Sequence, residues 1–204
     1  MPVITISRQV GAAGRPVGRV LAERFGAETL DREIVAAVAA RSGIPVEDAE
    51  GYDERLPSLW QRIAAALAAS SPEISMPPLP SESIPGSALQ DRLIALTRTV
   101  IQEAADRGNA VITGRGGVFI IGRRPDVLHV QLHASMEARL RYLLTRVEEI
   151  PLDTKPDEAS LRELCESFDR ARGDYIRRLY GKDWLDTRHY DLAVDVGRMG
   201  VEGT

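Results

Sequence analysis

The stretch Val3-Ile4-Thr5-Ile6-Ser7-Arg8-Gln9-Val10-Gly11-Ala12-Ala13-Gly14-Arg15-Pro16-Val17-Gly18 reads as strand, small-residue loop and helix start, in that order. Val3 to Ile6 is short and β-branched, as a buried strand requires. Gly11, Ala12, Ala13 and Gly14 carry no bulk that would keep backbone amides from turning inward, and the helix start adds the positive end of its dipole. Pro16 suits that opening, where a missing amide hydrogen costs nothing. Arg8, Gly11, Ala12, Ala13, Gly14 and Arg15 are therefore the candidate phosphate-binding residues, the two arginines adding charge-assisted bonds. The plainer alternative is a tight turn whose glycines only let strand and helix pack closely.

Outward from this stretch, apolar runs alternate with amphipathic ones, the pattern of a parallel sheet covered by helices on both faces. Five strands are predicted, at Val3 to Ile6, Ala27 to Leu30, Ala110 to Thr113, Val127 to Leu132 and Leu192 to Val196. Helical stripes run through Val17, Val20, Leu21 and Phe25, and through Leu93, Ile94, Val100 and Ile101. A third follows Ser135, whose hydroxyl is placed to cap it, and the longest runs from about Asp157 to Tyr180 with Gly181 as its stop. A tract rich in proline and serine, Ser70 to Ser87, interrupts the pattern after a helical stretch at Leu59 to Ala69. It reads as a mobile loop, with docking through polyproline geometry as the alternative.

The chain has 204 residues, 44% of them hydrophobic, enough for one substantial core and one domain spanning 1–204. A net charge of -4 with 5% aromatics excludes the global basic excess of a sequence-independent nucleic-acid binder. Cys165, the single cysteine, permits no internal disulfide and reads as core filler. No apolar run approaches the roughly 20 residues that span a bilayer, and the N-terminus enters a strand pattern directly, so a cytoplasmic protein without membrane partners is expected. His129, His133 and His189 show no metal-ligand spacing, and no metal ligand is assigned.

Two further places carry charge where ligands of parallel sheets collect, at strand ends, and a third lies on the late helices. Asp31 follows the second strand and Arg32 follows it; Asp31 reads either as a ligand-orienting group or as a cap for the next helix. Arg115 follows the third strand between glycines, a setting suited to phosphate recognition or to a surface ion pair. Arg139 lies on one late helix, and Asp169 and Arg172 lie three apart on the next, where structural ion pairing competes with a ligand role.

Taken together, Ile4 to Leu21, Thr29-Leu30-Asp31-Arg32-Glu33-Ile34, Thr113-Gly114-Arg115-Gly116-Gly117, Leu132-His133-Ala134-Ser135-Met136-Glu137-Ala138-Arg139, Asp169-Arg170-x-Arg172 with Tyr175, and Trp184 with Tyr190-Asp191-Leu192 resemble the cytidylate-kinase-like family. The resemblance covers most of the chain except Tyr52 to Ser87. It implies a P-loop kinase fold: a five-stranded parallel sheet with helices on both faces, an acceptor-side helical insert at about 35–90 containing the loop 70–87, and lid helices at about 136–180. It further implies ATP and Mg2+ as cofactors and transfer of the γ-phosphoryl group to a small acceptor, a nucleoside monophosphate such as CMP being one candidate. On that pattern Arg15, Asp31 and Arg172 are catalytic, Asp31, Arg32 and Arg115 bind the acceptor, and Arg139, Asp169 and Arg172 belong to the lid. Oligomeric state is left open, a homodimer included.

The sequence departs from that pattern in two places. Laid on G-x-x-x-x-G-K-[ST], the loop has Arg8 at the first glycine, Ala13 at the second, Gly14 at the lysine and Arg15 at the hydroxyl. The chain's lysines, Lys155 and Lys182, lie far along the sequence, leaving Arg15 as the nearest cation. The aspartate that follows the turn arginine in true cytidylate kinases is Gly116. The alternative function is accordingly a non-catalytic nucleotide-sensing module that keeps the phosphate loop.

Overall fold

The computed structural model describes residues 2–31, 86–146 and 157–204. Within them, β1 (Val3–Arg8), β2 (Glu28–Leu30), β3 (Ala110–Thr113), β4 (Val127–His133) and β5 (Leu192–Asp195) form one parallel sheet in the order β2-β3-β1-β4-β5. All five predicted strands are present, and the shifted ends have local causes. β1 runs on to Arg8 because β4 pairs with it as far as Leu132. The amide of Ala27 is spent on the carbonyl of Ala22 at the end of the first helix, and Val196 opens the last helix, which the Asp195 carboxylate caps at Gly197.

Among the described residues six α-helices flank the sheet: α1 (Gly14–Phe25), α2 (Gly86–Arg107), α3 (Gly117–Ile121), α4 (Met136–Leu144), α5 (Glu158–Tyr180) and α6 (Val196–Gly203). Successive strand residues point to opposite faces, so Val3, Ala110, Ile112 and Val127 pack with Val100, Ile101 and Ala104 of α2. Ile4, Ile6, Val111, Val130 and Leu132 pack on the other side with Val17 and Ala22 of α1 and Val196 of α6. Each fully buried Leu, Ile or Val contributes about 2 kcal/mol. Helices α3 and α6 are absent from the sequence expectation: one is five residues long, and the other contains three glycines. The predicted helix at Leu59 to Ala69 and the Pro-rich tract lie outside the described residues, except that Gly86 and Ser87 belong to α2 rather than to the loop.

Ser135 and Gly181 bound their helices where the sequence puts them, and Asp157, read as the approximate start of the longest helix, is its cap. Ser135 accepts from the amide of Ala138, Asp157 accepts from that of Ser160, and Gly181 ends α5 with a φ of 64°. Along α5, Leu161, Leu164, Cys165 and Phe168 share a cluster with Leu140 and Leu143 of α4 and with Val10. Further along, Tyr175 and Ile176 pack on Trp184. The Trp184 carbonyl accepts from Gln131 Nε2 at 3.0 Å and from the Tyr190 hydroxyl at 2.7 Å.

Polar contacts at the upper end of this cluster hold the loop between β1 and α1. Asp169 Oδ1 accepts from the Val10 amide at 3.1 Å, and its Oδ2 pairs with Arg139 Nη2 at 2.5 Å. Arg139 Nε donates to the Val10 carbonyl at 2.5 Å, which closes a ring around a single peptide residue. Arg172 Nη1 donates to the Arg8 carbonyl at 2.6 Å and lies 3.5 Å from Asp169, with its guanidinium over the Trp184 ring. Arg139 and Arg172 are buried.

Removing one partner from a buried ionic cluster leaves the others desolvated and uncompensated. Asp169→Ala is expected to cost about 3 kcal/mol or more in urea unfolding, whereas Asp169→Asn, which keeps an acceptor for Val10, should cost less. Wild-type stability in both variants would show that the carboxylate does not hold this cluster together.

Candidate functional site

Parallel pairing decides which residues meet. Leu30 is in register with Ile112, and Ile6 with Thr113, so the chain leaves β2, β3 and β1 side by side at their carboxyl ends. Asp31, the turn Gly114-Arg115-Gly116 and Arg8 therefore emerge along one edge, next to the head of α1. The Gly114 amide donates to the Ile6 carbonyl at 2.9 Å and anchors the turn to β1.

In the loop itself, the Ala12 amide donates back to the Gln9 carbonyl at 3.2 Å, so it is used within the turn. Ala13 stands at the helix cap in the left-handed region with φ 48°. No side chain caps α1 there, and the first amides of a helix have no intrahelical acceptor. The phosphate-binding expectation is thereby narrowed: the uncapped helix head following Ala13 is the part with donors available. Gln9 ties the loop to the end of β4, its Oε1 accepting from the Ala134 amide at 3.2 Å.

Arg15 reaches away from the loop to Asp31, Nε to Oδ2 at 2.7 Å. The Asp31 side chain is 16% exposed. Burial by itself would raise its pKa, but Arg8, Arg15 and Arg115 together, with the Arg15 hydrogen bond, outweigh this and hold it below the ordinary 3.8. One carboxylate thus sits in the field of three guanidinium groups.

The turn that carries Arg115 is a second concentration of unusual backbone. Gly114, Arg115 and Gly116 have φ of 82°, 58° and 70°, three left-handed residues in succession. Of these only Arg115 has a Cβ, which costs on the order of 1–2 kcal/mol there. A Cβ at position 116 would lie 2.9 Å from the Tyr180 ring, which stacks on Phe119. An aspartate at this position would require the Tyr180 ring to shift.

Of the residues singled out in the sequence, the structure brings together Arg8, Arg15, Asp31 and Arg115. Arg139, Asp169 and Arg172, read in the sequence as a lid, are engaged with the main chain of Arg8 and Val10 as described above. Arg32 lies outside the described residues. Gln9 and Val10 were not singled out, because a main-chain tether and a single glutamine leave no spacing signal. Among the described residues no cluster of three metal-binding side chains occurs. A cavity of about 170 Å³ adjoins the loop, lined by residues including Gly11, Ala12, Ala13, Arg141 and Tyr142. A larger one, about 520 Å³, lies against Phe119, Arg123, His129 and Lys182 and includes none of the predicted site residues.

Against known proteins, a search of curated sequences gives no match. Among solved structures, an uncharacterized protein from Eubacterium ventriosum ATCC 27560 superposes with a TM-score of 0.63 at 17% identity, covering 99% of this chain and 92% of that one. Shikimate kinase from Bacteroides thetaiotaomicron gives 0.48 at 12% identity, covering 98% and 92%. Shikimate kinase from Acinetobacter baumannii in complex with shikimate gives 0.44 at 15%, covering 99% and 89%. No helix among the described residues is long and apolar enough to cross a membrane. The model of the cytidylate kinase-like family matches residues 3–198, nearly the whole chain, and the chain belongs to that family.

Proposed function

We propose that this protein is a phosphotransferase that binds ATP at the loop between β1 and α1 and passes its γ-phosphoryl group to a nucleoside monophosphate, CMP being the first candidate. Membership of a kinase-like family supports the broad reaction class. The observation that carries the site is the convergence of Arg8, Arg15 and Arg115 around Asp31 beside an uncapped helix head. Such a place stabilises polyphosphate through fixed dipoles and full charges together.

The residues present fit the nucleotide. The head of α1 would take the phosphates, and the cavity beside Gly11, Ala12 and Ala13 adjoins it, with Tyr142 and Arg141 at hand for the nucleoside. They also fit Mg2+, which is bound through one or two carboxylates, waters and substrate phosphates rather than by a protein cage; Asp31 would hold it through water. When bound, ATP and Mg2+ supply the transferable phosphoryl group and neutralise its charge. Arg115, held in its turn, would orient the acceptor phosphate. Asp31, kept ionised by its neighbours, would position the acceptor hydroxyl or the hydrated metal. Arg139, Asp169 and Arg172 would keep the loop main chain in place. The missing aspartate at Gly116 argues for an acceptor pocket less selective for cytosine. A nucleotide sensor without turnover is the second reading, favoured by Gly14 at the lysine position.

The test is ATP turnover by the purified protein against a panel of nucleoside monophosphates. Arg115→Ala and Asp31→Ala should each lower kcat/KM by about 100-fold; activity unchanged in both would remove these residues from the site, and nucleotide binding in calorimetry without product on any acceptor would favour the sensor.

The Asp31 pKa also sets a pH dependence. Its folded value lies below the unfolded one, so the contribution of its ion pairs is fully present above about pH 4 and is lost as pH falls through the folded pKa. Thermal melts between pH 7 and pH 3 should show a steeper acid loss for the wild type than for Asp31→Asn. Parallel curves would refute the coupling.

A further inference from the structure

The loop lacks a lysine at its motif position, yet the space belonging to that side chain is filled. A Cβ built on Gly14 would lie 2.6 Å from Cγ of Arg8, 3.1 Å from its Cβ and 3.2 Å from its Cδ. These are atoms of the stem, anchored to β1, and cannot swing aside as a side-chain tip does. Further along the same side chain, Nη1 of Arg8 lies 2.1 Å from where a Cβ on Gly114 would stand, with Cζ at 3.1 Å. Arg8 therefore crosses over two residues without side chains, from the loop to the arginine-bearing turn. Its charge is felt there, since it is the foremost of the three arginines that lower the Asp31 pKa.

Laid on the motif, the exchange is reciprocal. Where the pattern has glycine first and lysine six residues later, this chain has Arg8 first and Gly14 six residues later. One cation is kept, and one bare backbone position is kept, with their places swapped. Arg15, the nearest cation by sequence, is turned instead to Asp31.

We infer that Arg8 is the phosphate-bridging cation of this loop, taking in space the place of the absent lysine, and that Gly14 is glycine because the Arg8 side chain lies across it. This rests on the reading of the loop as an ATP site. A guanidinium in that position differs from an ammonium in presenting a planar fork, so it would engage two phosphate oxygens at once.

The test is a swap, read by calorimetric ATP binding and by melting temperature. Arg8→Gly should weaken ATP binding about 10- to 100-fold, the loss expected when a hydrogen-bonded charge is removed. Gly14→Lys alone should lower the melting temperature, because the new stem collides with that of Arg8. The double variant Arg8→Gly/Gly14→Lys should regain melting temperature relative to Gly14→Lys and regain affinity relative to Arg8→Gly, while Arg8→Lys should retain part of the affinity. Wild-type binding with Arg8→Gly unaffected would overturn this inference and leave the ATP site standing. Absence of ATP binding by the wild type would overturn both. A double variant no more stable than Gly14→Lys would overturn the spatial exchange.

Discussion

Both hydrogen-bonding groups of one residue, Val10, are held from behind: the amide by the Asp169 carboxylate and the carbonyl by Arg139, while these two side chains hold each other. The course of the loop at the carboxyl edge of the sheet depends on this. A glycine-rich loop has many accessible conformations, and fixing each residue costs about 1–2 kcal/mol of conformational entropy. The ring of contacts offsets that cost near the loop's start, and the Arg172 bond to the Arg8 carbonyl extends it to the end of β1. Helices α4 and α5 are thus as much a foundation for the loop as a cover for the sheet.

Much of this architecture was legible in the residues. The strands declare themselves through short runs of β-branched residues or leucine such as Val3 to Ile6 and Val127 to Leu132, since burial against helices leaves little freedom of composition. Ser135, Asp157 and Gly181 mark helix ends because capping demands a particular chemistry at a fixed place. Asp31 and Arg115 could be found because they follow strands, and parallel strands all end on one side.

Other parts had no one-dimensional signature. The direction in which Arg139 and Arg172 point is set by how α4 and α5 lie against the loop, and their spacing is equally compatible with a lid, a surface pair or a brace. Arg15 looked like the substitute for a missing lysine because it is near in sequence, whereas the ion pair with Asp31 is decided by the carboxyl edge, across sixteen residues of chain. The crossing of Arg8 over Gly14 and Gly114 is likewise a property of three segments at once. Helix α6 went unseen because its glycines obscure a helical pattern that packing of Val196 restores.

The stacking of Arg172 on Trp184 gives the molecule a built-in optical gauge. Indole emission responds to a charge held close over the ring, and this charge is tethered through an edge N–H to the carbonyl of Arg8. A displacement of the loop by an ångström would be transmitted to the guanidinium and from there to the wavelength and yield of the fluorophore. Trp184, the one tryptophan among the described residues, is buried and linked to the loop through that guanidinium, so its emission would report loop motion without any label.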